Sequence, residues 1–440
     1  MIRFTVAFLI TSLLSPLAGA YPLDGYKETG IRRVEGARLA NEGVISGRKQ
    51  PAGALLSTDE VDLQLLEYRD MDLPPPDPAF SKQLVNMLGS SAASYGIAVL
   101  DVSDPEHPVY GEHRGDYRQN TGSVGKLIVA LGLFQALADV WPDDLQKRRD
   151  ILKNTVVTAD DFSISDHHKI RVFNVETRTL ARRTMPVGEQ GSLWEYLDWT
   201  LSVSSNSAAA MTMREAMLIN QYGKDYPPPE AEIQRFFKET PGKELTALFQ
   251  RTFFDPVTRN GLDIEKVRQG SFFTRVGKKK VNGGGNSYGT ARELVKLTLR
   301  MEQGRLVDEF SSRQIKRLLY MTERRIRYAS APALRDSAVY FKSGSLYSCM
   351  EEEGFKCGKY MGNKRNYMNS LAIIETTNDG YQLHYIAGLI SNVLRVNSAV
   401  EHQTFGMRIH RMIEKAHPPV KTKSEPLFGQ PLPVESTPVP

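Results

Sequence analysis

Cysteine is scarce in this 440-residue sequence, which has only Cys349 and Cys357, with Gly354 between them. A zinc site on this pair would need further ligands, and no histidine lies nearby, so we interpret the pair as structural. His167 and His168 are adjacent, and neighbouring residues rarely share a face. We interpret these histidines as a surface pair and expect neither a metal nor a cofactor.

An excess of charge of one sign is also lacking. The 56 Lys and Arg residues are interspersed with 51 Asp and Glu residues, giving a formal net charge of +5. No basic stripe with interleaved aromatics is visible, so we expect no nucleic-acid partner.

After the first twenty residues no apolar run is long enough to predict a membrane span. A Gly-x-Ser-x-Gly sequence is absent, which argues against an α/β-hydrolase triad. The oligomeric state is not indicated.

The first twenty residues have the pattern of a secretory signal. Arg3 precedes the short apolar run "FTVAFLITSLL", and Ala18-Gly19-Ala20 is a small-x-small cleavage site. We expect cleavage after Ala20 and a secreted or periplasmic protein, with an uncleaved anchor as the alternative. In such an oxidising compartment Cys349 and Cys357 are expected to form a disulfide rather than to remain free thiols.

Composition divides the rest of the chain into three parts. Residues 21–76 are polar and glycine-rich and end in a proline spacer, which predicts an N-terminal extension. Residues 77–417 form the globular domain, and residues 418–440 form a Pro-rich tail that we expect to be disordered. Two early strands ("YGIAVLDVS", "HPVYGEHRG") and three late ones enclose a mostly helical middle. This order predicts an α+β fold whose sheet is assembled from both ends of the chain.

The stretch "NTGSVGKLIVALGLFQAL" allows two interpretations. A phosphate loop needs Gly-x-x-x-x-Gly-Lys-Ser/Thr, but Asn120 stands at the first glycine position and Leu127 at the hydroxyl position. The alternative is Ser-x-x-Lys, formed by Ser123 and Lys126. Residues three apart share one helix face. A lysine whose pKa is lowered by burial can accept the proton of such a serine.

Two further motifs distinguish Ser123 from Ser46, which also precedes a lysine (Lys49) by three residues in a segment where we expect no chemistry. Downstream of Ser123 the chain contains Ser204-Ser205-Asn206, and then Lys342-Ser343-Gly344 on a predicted strand. Each of these two motifs occurs once.

The trio Ser-x-x-Lys, Ser-x-Asn and Lys-Ser/Thr-Gly, in this order, resembles the serine β-lactamase and penicillin-binding protein superfamily. The flanking sequences "SSNSAAAM", "NSYGTARELVKL" and "NYMNSLAII" are similar to the class A β-lactamase branch. The resemblance covers residues 77–417. It implies a β-lactamase/transpeptidase-like fold, in which an antiparallel sheet flanked by helices lies beside an all-helical subdomain and the site lies between them.

The resemblance also implies four catalytic roles. Ser123 would be the acylated nucleophile, and Lys126 its general base. Ser204 would pass a proton to the leaving nitrogen, and Asn206 would hold Lys126 and the substrate amide.

The strand motif would bind the substrate. Lys342 and Ser343 of the Lys342-Ser343-Gly344 motif would bind its carboxylate. The backbone N–H groups of Ser123 and Ser345 would form the oxyanion hole, which stabilises the charge of the tetrahedral intermediate.

Three departures from class A leave the function open. The Glu-x-x-Leu-Asn sequence that supplies the deacylating glutamate is absent, and Glu265 lies too far upstream. Ser205 and Ser343 replace the usual aspartate and threonine, and Ser204 follows Ser123 at an extended spacing. We therefore expect a β-lactam or a peptidoglycan peptide as substrate. The activity would be that of a β-lactamase-like hydrolase, a D-alanyl-D-alanine peptidase, or a penicillin-binding protein that does not turn over.

Overall fold

The computed structural model of the protein describes residues 23–320 and 325–419. The predicted signal sequence, residues 1–20, and residues 420–440 of the predicted tail lie outside the described residues. The helices are, in chain order, α1 (Tyr26–Thr29), α2 (Arg32–Asn41), α3 (Pro78–Leu88), α4 (Lys126–Val140), α5 (Leu145–Asn154), α6 (Leu193–Leu201), α7 (Asn206–Tyr222), α8 (Glu230–Glu239), α9 (Gly242–Phe253), α10 (Asp255–Arg259), α11 (Arg275–Lys280), α12 (Ala291–Glu302), α13 (Glu309–Tyr320) and α14 (Ser398–Ala416). The strands are β1 (Tyr95–Asp101), β2 (Val109–His113), β3 (Val156–Thr158), β4 (Lys169–Asn174), β5 (Thr179–Thr184), β6 (Gln190–Ser192), β7 (Val267–Arg268), β8 (Tyr288–Gly289), β9 (Ala338–Ser348), β10 (Arg365–Thr376) and β11 (Leu383–Asn392).

The main sheet is antiparallel, with the strand order β2-β1-β11-β10-β9. Strand β1 pairs with β11, so that Tyr95 lies opposite Ser391, and β10 pairs with both β11 and β9. Two strands from the start of the domain and three from its end therefore form one sheet. This confirms the predicted α+β fold. Strand β9, which carries Lys342, lies at an edge of the sheet.

Both faces of the sheet are covered by helices. Successive side chains of a strand point to opposite faces. Ala98 and Leu100 of β1 accordingly pack into a core shared with α4 and α12, whereas Ile97 and Val99 pack into a second core shared with α3 and α14. The apolar run of β1 is buried along its whole length for this reason.

Helix α4 is the central helix of the helical part, and every residue from Lys126 to Leu137 is buried. Contrary to the sequence-based expectation, one helical stretch within the described residues, Gly122–Val140, is long and apolar enough to cross a membrane, but 78% of its most apolar window is buried inside the protein. A helix that is apolar all round is typical of a protein core.

The helical part also contains strands, although the sequence predicts it to be all-helical. Three two-stranded sheets pair β3 with β6, β4 with β5, and β7 with β8. The β4–β5 hairpin lies in the stretch that lengthens the spacing between Ser123 and Ser204.

Residues 23–76, which lie in the predicted N-terminal extension, pack onto the rest of the fold. Ile31, Val34 and Val61 are buried in the same core as α4. The Arg33 guanidinium pairs with the buried Asp198 carboxylate on α6, with 2.6 Å between Nε and Oδ2. Apolar residues are too sparse in this segment to show helical periodicity, so the sequence does not reveal its contacts.

Candidate active site

Ser123 and Lys126 lie where the helical part meets the sheet. Gly122–Gly125 form a 3-10 turn, and α4 begins directly after it at Lys126. The Nζ atom of Lys126 lies 3.0 Å from Ser123 Oγ. The turn thus places the amine and the hydroxyl on one side, as the spacing of the motif predicts.

The Lys126 side chain is completely buried, and polar groups surround its amine. Besides Ser123 Oγ, Nζ contacts the Ser204 carbonyl at 2.6 Å, Ser204 Oγ at 3.3 Å and Asn206 Oδ1 at 2.8 Å. Burial lowers the pKa of Lys126 to about 7, and the negative charge of Asp166 opposes this shift. A substantial fraction of Lys126 is therefore neutral at neutral pH and able to accept a proton.

Ser204 and Asn206 occupy the turn that leads into α7. Ser204 has a φ of 62°, a left-handed conformation that costs a non-glycine residue roughly 1–3 kcal/mol. This conformation directs both its carbonyl and its hydroxyl toward Lys126. Ser205 caps α7, because its side chain accepts a hydrogen bond from the Ala208 N–H.

Lys342 reaches the same hydroxyl from the sheet. Its Nζ lies 2.8 Å from Ser204 Oγ and 3.0 Å from the carbonyl oxygen of Ser343. Burial lowers the pKa of Lys342 well below its usual value, and the charges of Lys126 and Arg327 lower it further. An anionic substrate group would reverse this shift by favouring the charged amine.

Gly344 allows β9 to lie directly against the turn that carries Ser123. A Cβ atom at Gly344 would lie 2.0 Å from the Thr121 carbonyl oxygen and 2.7 Å from the Ser123 backbone nitrogen. From the other side, a Cβ at Gly122 would lie 3.1 Å from the Ser345 nitrogen. The backbone nitrogens of Ser123 and Ser345 thus lie where the turn and β9 approach each other most closely.

All eight predicted site residues therefore meet at one place. Ser123, Lys126, Ser204 and Asn206 come from the helical part, and Lys342, Ser343, Gly344 and Ser345 come from the sheet. The two lysines are buried, while Ser123, Ser204 and Ser343 are partly exposed. Two amines thus lie beneath three accessible hydroxyl groups. In contrast, Ser46 and Lys49 are both exposed and contact none of these residues.

Asp166 holds the Ser204–Asn206 turn in place, and no sequence motif indicates this role. One carboxylate oxygen accepts hydrogen bonds from Ser205 Oγ and from the N–H groups of Asn206 and Ser207. The other accepts bonds from the side chain and backbone N–H of His168. The adjacent His167 and His168 are interpreted from the sequence as a surface pair. No local sequence pattern indicates that Asp166, which precedes them, contacts α7.

Arg327 is a second residue that the sequence did not indicate. Its Nη2 donates to Ser345 Oγ at 3.1 Å, and its guanidinium carbon lies 4.7 Å from the centre of the Tyr360 ring. Within the described residues, its buried Nε has no hydrogen-bond partner. Arg327 therefore adds a guanidinium group beside the two lysine amines.

Asn369 on β10 fixes the segment before Ser123 and was also missed. Its side-chain amide donates to the Asn120 carbonyl, and its oxygen accepts from the Gln119 side chain, which also donates to the Ser391 carbonyl. Residues of the central strands, which are far from Ser123 in sequence, thus position the turn that carries this serine.

Glu265 lies on the surface, with 67% of its side chain exposed. It contacts Arg118, Arg268 and the Tyr288 hydroxyl, and none of the predicted site residues. Instead, the face of the Phe273 ring covers Lys126, with 4.7 Å between Nζ and the ring centre. The side of Lys126 that faces Phe273 is therefore apolar.

Cys349 and Cys357 form a disulfide in the loop between β9 and β10, with their Cα atoms 6.2 Å apart. The same loop contains Tyr360, which packs against both Tyr347 and Arg327. The disulfide thus restrains a loop that contacts the site through Tyr360.

Comparison with known proteins identifies a family. The model of the beta-lactamase enzyme family matches residues 79–357. No curated protein matches the chain.

Several solved structures are similar to the chain at low identity. The structure of PBP-A is 13% identical, with a TM-score of 0.47, and the match covers 78% of this chain and 100% of PBP-A. A beta-lactamase from Sphaerobacter thermophilus is 12% identical, with a TM-score of 0.49 and coverage of 77% and 99%. A beta-lactamase from Chitinophaga pinensis is 16% identical, with a TM-score of 0.46 and coverage of 76% and 98%.

Proposed function

Because this chain belongs to the beta-lactamase enzyme family and is a serine hydrolase of that type, we propose that Ser123 is acylated by β-lactams or related amides. The observation that carries this proposal is the contact between Ser123 Oγ and the buried amine of Lys126, whose pKa is lowered to about 7. Serine needs a neighbouring base to become a nucleophile, and a neutral amine 3.0 Å away can act as that base.

Acylation follows from the contacts of these groups. Ser123 Oγ bonds to the substrate carbonyl carbon as its proton passes to neutral Lys126. The resulting oxyanion accepts hydrogen bonds from the N–H groups of Ser123 and Ser345. Ser204 Oγ lies between the Nζ atoms of Lys126 and Lys342, at 3.3 and 2.8 Å, so it relays a proton to the leaving nitrogen. The C–N bond then breaks, leaving an ester on Ser123.

The charges around β9 favour a substrate with a carboxylate. Lys342 and Arg327 both approach the strand at Ser343 and Ser345, and neither forms an ion pair within the described residues. An anion placed there would favour the charged form of Lys342 and would be stabilised by that amine and by the poorly solvated Arg327 guanidinium. Penicillins and peptides that end in a free carboxylate both meet this requirement.

The surroundings of Lys126 favour a long-lived acyl-enzyme. Among the described residues, the hydrogen-bond partners of its amine include no carboxylate, and Phe273 covers the side toward the loop. Glu265 is exposed and bonded elsewhere, so it does not activate a water molecule at the ester. This observation favours a second candidate function, that of a D-alanyl-D-alanine peptidase or a penicillin-binding protein that turns over β-lactams slowly.

The proposal includes export, which the signal pattern of residues 1–20 supports. A secreted or periplasmic location would bring the site into contact with both β-lactams and peptidoglycan peptides. The disulfide between Cys349 and Cys357 is compatible with an oxidising compartment.

Intact-mass analysis after incubation with benzylpenicillin tests the proposal. We expect a single adduct that is absent in Ser123→Ala and present in Ser46→Ala, which removes the other serine of a Ser-x-x-Lys sequence. Ring opening of a chromogenic cephalosporin, followed in parallel, separates the two candidates. A persistent adduct with slow ring opening supports the penicillin-binding function, and rapid Ser123-dependent ring opening supports a β-lactamase. If Ser123→Ala still forms the adduct, the proposed nucleophile is wrong.

A further inference from the structure

A cavity separate from the candidate active site lies beside β9. Its volume is about 660 Å³, which falls in the range of small-molecule sites. Its lining comes from the segment before α3, from the end of α13, from residues 325–335 and from β9. No residue that lines it belongs to the eight predicted site residues.

Positive charge is concentrated at this cavity. Arg48, Lys49 and Arg335 are exposed and line it together with Arg325, and none of its described lining residues is acidic. Arg48, Lys49 and Arg335 form no ion pair within the described part of the chain, so their charges are not compensated by a neighbouring carboxylate. Asp336 acts electrostatically on Arg325, but it is exposed and does not line the cavity.

Arg325 adds a further charge to the lining of the cavity. Its guanidinium donates to the backbone carbonyls of Gly53, Leu334, Arg335 and Ser337. Burial lowers the pKa of Arg325 to about 10, and the charges of Tyr320 and Asp336 oppose this shift. A partly buried cation whose described hydrogen-bond partners are carbonyl groups is stabilised when an anion approaches.

Part of the lining of the cavity is apolar. Val339 and Phe341 of β9 and Ala329 and Ala331 of the preceding segment line it, and all four are buried. The cavity thus combines an apolar interior with exposed cations. Inorganic phosphate would leave the interior unused, and a neutral apolar molecule would leave the cations unpaired.

We propose that this cavity binds a single-chain amphiphile with one anionic head, such as a fatty acid or an alkyl phosphate. Its head would lie near Arg48, Lys49 and Arg335, and its chain would contact Val339 and Phe341. Burial of the chain provides the driving force, and the three cations select the sign of the head. The proposed site is independent of acylation at Ser123.

Isothermal titration calorimetry with dodecanoate, kept below its micelle concentration, tests the site. We expect saturable binding at one site per chain, with the same Kd in Ser123→Ala. The triple variant R48Q/K49Q/R335Q should bind about tenfold more weakly, because exposed charge pairs contribute fractions of a kcal/mol each. The matched control R235Q/K238Q/K243Q removes three exposed cations from α8 and α9, and we expect it to bind like the unmodified protein. Thermal unfolding followed by circular dichroism verifies that each variant is folded.

Three results would overturn the proposal. The first is the absence of saturable dodecanoate binding. The second is that dodecyltrimethylammonium, which carries the opposite charge on the same chain, binds as tightly as dodecanoate. The third is that the two triple variants lose the same affinity for dodecanoate. Dodecyl phosphate that binds like dodecanoate would support it, since both heads are anionic.

Discussion

Gly344 of β9 lies so close to Ser123 that a Cβ on the glycine would come within 2.7 Å of the serine nitrogen. A methyl group there would push β9 away from the nucleophile turn and separate the two N–H groups that border the oxyanion. We expect Gly344→Ala to lower the acylation rate constant by at least about 100-fold, the effect of losing an oxyanion donor. Stopped-flow acylation by a chromogenic cephalosporin measures this constant. The matched control is Gly242→Ala, where a Cβ would meet no atom within 4 Å, and equal rates in the two variants would refute the expectation.

Acylation should depend on pH through Lys126. Because burial lowers its pKa to about 7, the amine is protonated below pH 7 and cannot accept the proton of Ser123. We expect the acylation rate constant to rise about tenfold per pH unit below pH 7 and to level off above it. Lys126→Arg should abolish acylation at every pH, since a guanidinium stays protonated in this range. A rate constant that is flat between pH 5 and pH 8 would show that Lys126 is not the base.

Asp166→Asn tests whether Asp166 is a positioning residue for the Ser204–Asn206 turn. The variant loses a charged acceptor for the N-terminal N–H groups of α7, so we expect a loss of roughly 1–2 kcal/mol in stability and slower acylation. The negative charge of Asp166 raises the pKa of Lys126, so its removal should also shift the midpoint of the pH profile to lower pH.

The control for this experiment is Asp161→Asn, because Asp161 is half-exposed and pairs with Lys280 at 2.9 Å. It should leave both the stability and the pH midpoint almost unchanged. A destabilised Asp166→Asn variant whose midpoint does not move would indicate a purely structural role.

Arg327 should discriminate between substrates with and without a carboxylate. We expect Arg327→Ala to slow acylation by a penicillin by about 10- to 100-fold, equivalent to the roughly 1.5–3 kcal/mol of a charge-assisted hydrogen bond. Acylation by the methyl ester of the same penicillin should change little. Arg327→Lys should recover part of the rate, since it keeps the charge but loses the planar contact with Tyr360. Equal losses with acid and ester would argue against carboxylate recognition.

The sequence predicted the parts of the site that are local. Ser123 and Lys126 share one turn, Ser204 and Asn206 share another, and the Lys342 motif lies on a strand with a recognisable apolar start. The five strands of the main sheet were predicted for the same reason, because each one is a short apolar run bounded by polar or turn residues.

The sequence did not predict residues that act across long separations. Asp166 contacts α7, and Arg327 contacts Ser345, through side chains whose partners depend on the folded chain. The buried salt bridge from Arg33 to Asp198 belongs to the same class, and it connects residues 23–76 to the rest of the fold although their composition resembles a linker.

The antiparallel pairing of β1 with β11 has a consequence for biogenesis. Tyr95 and Ser391 are partners, so β1 can pair early with β2, but its ladder with β11 can form only when almost the whole chain is present. Such distant pairing slows folding, because the entropy cost of bringing the two strands together arises before the contacts that offset it can form. A chain that crosses a membrane from its N-terminus would therefore reach the far side with its nucleophile turn exposed and without β9 and β10 to complete the site. Catalytic competence would arrive only with the final strands, after translocation of nearly the entire polypeptide.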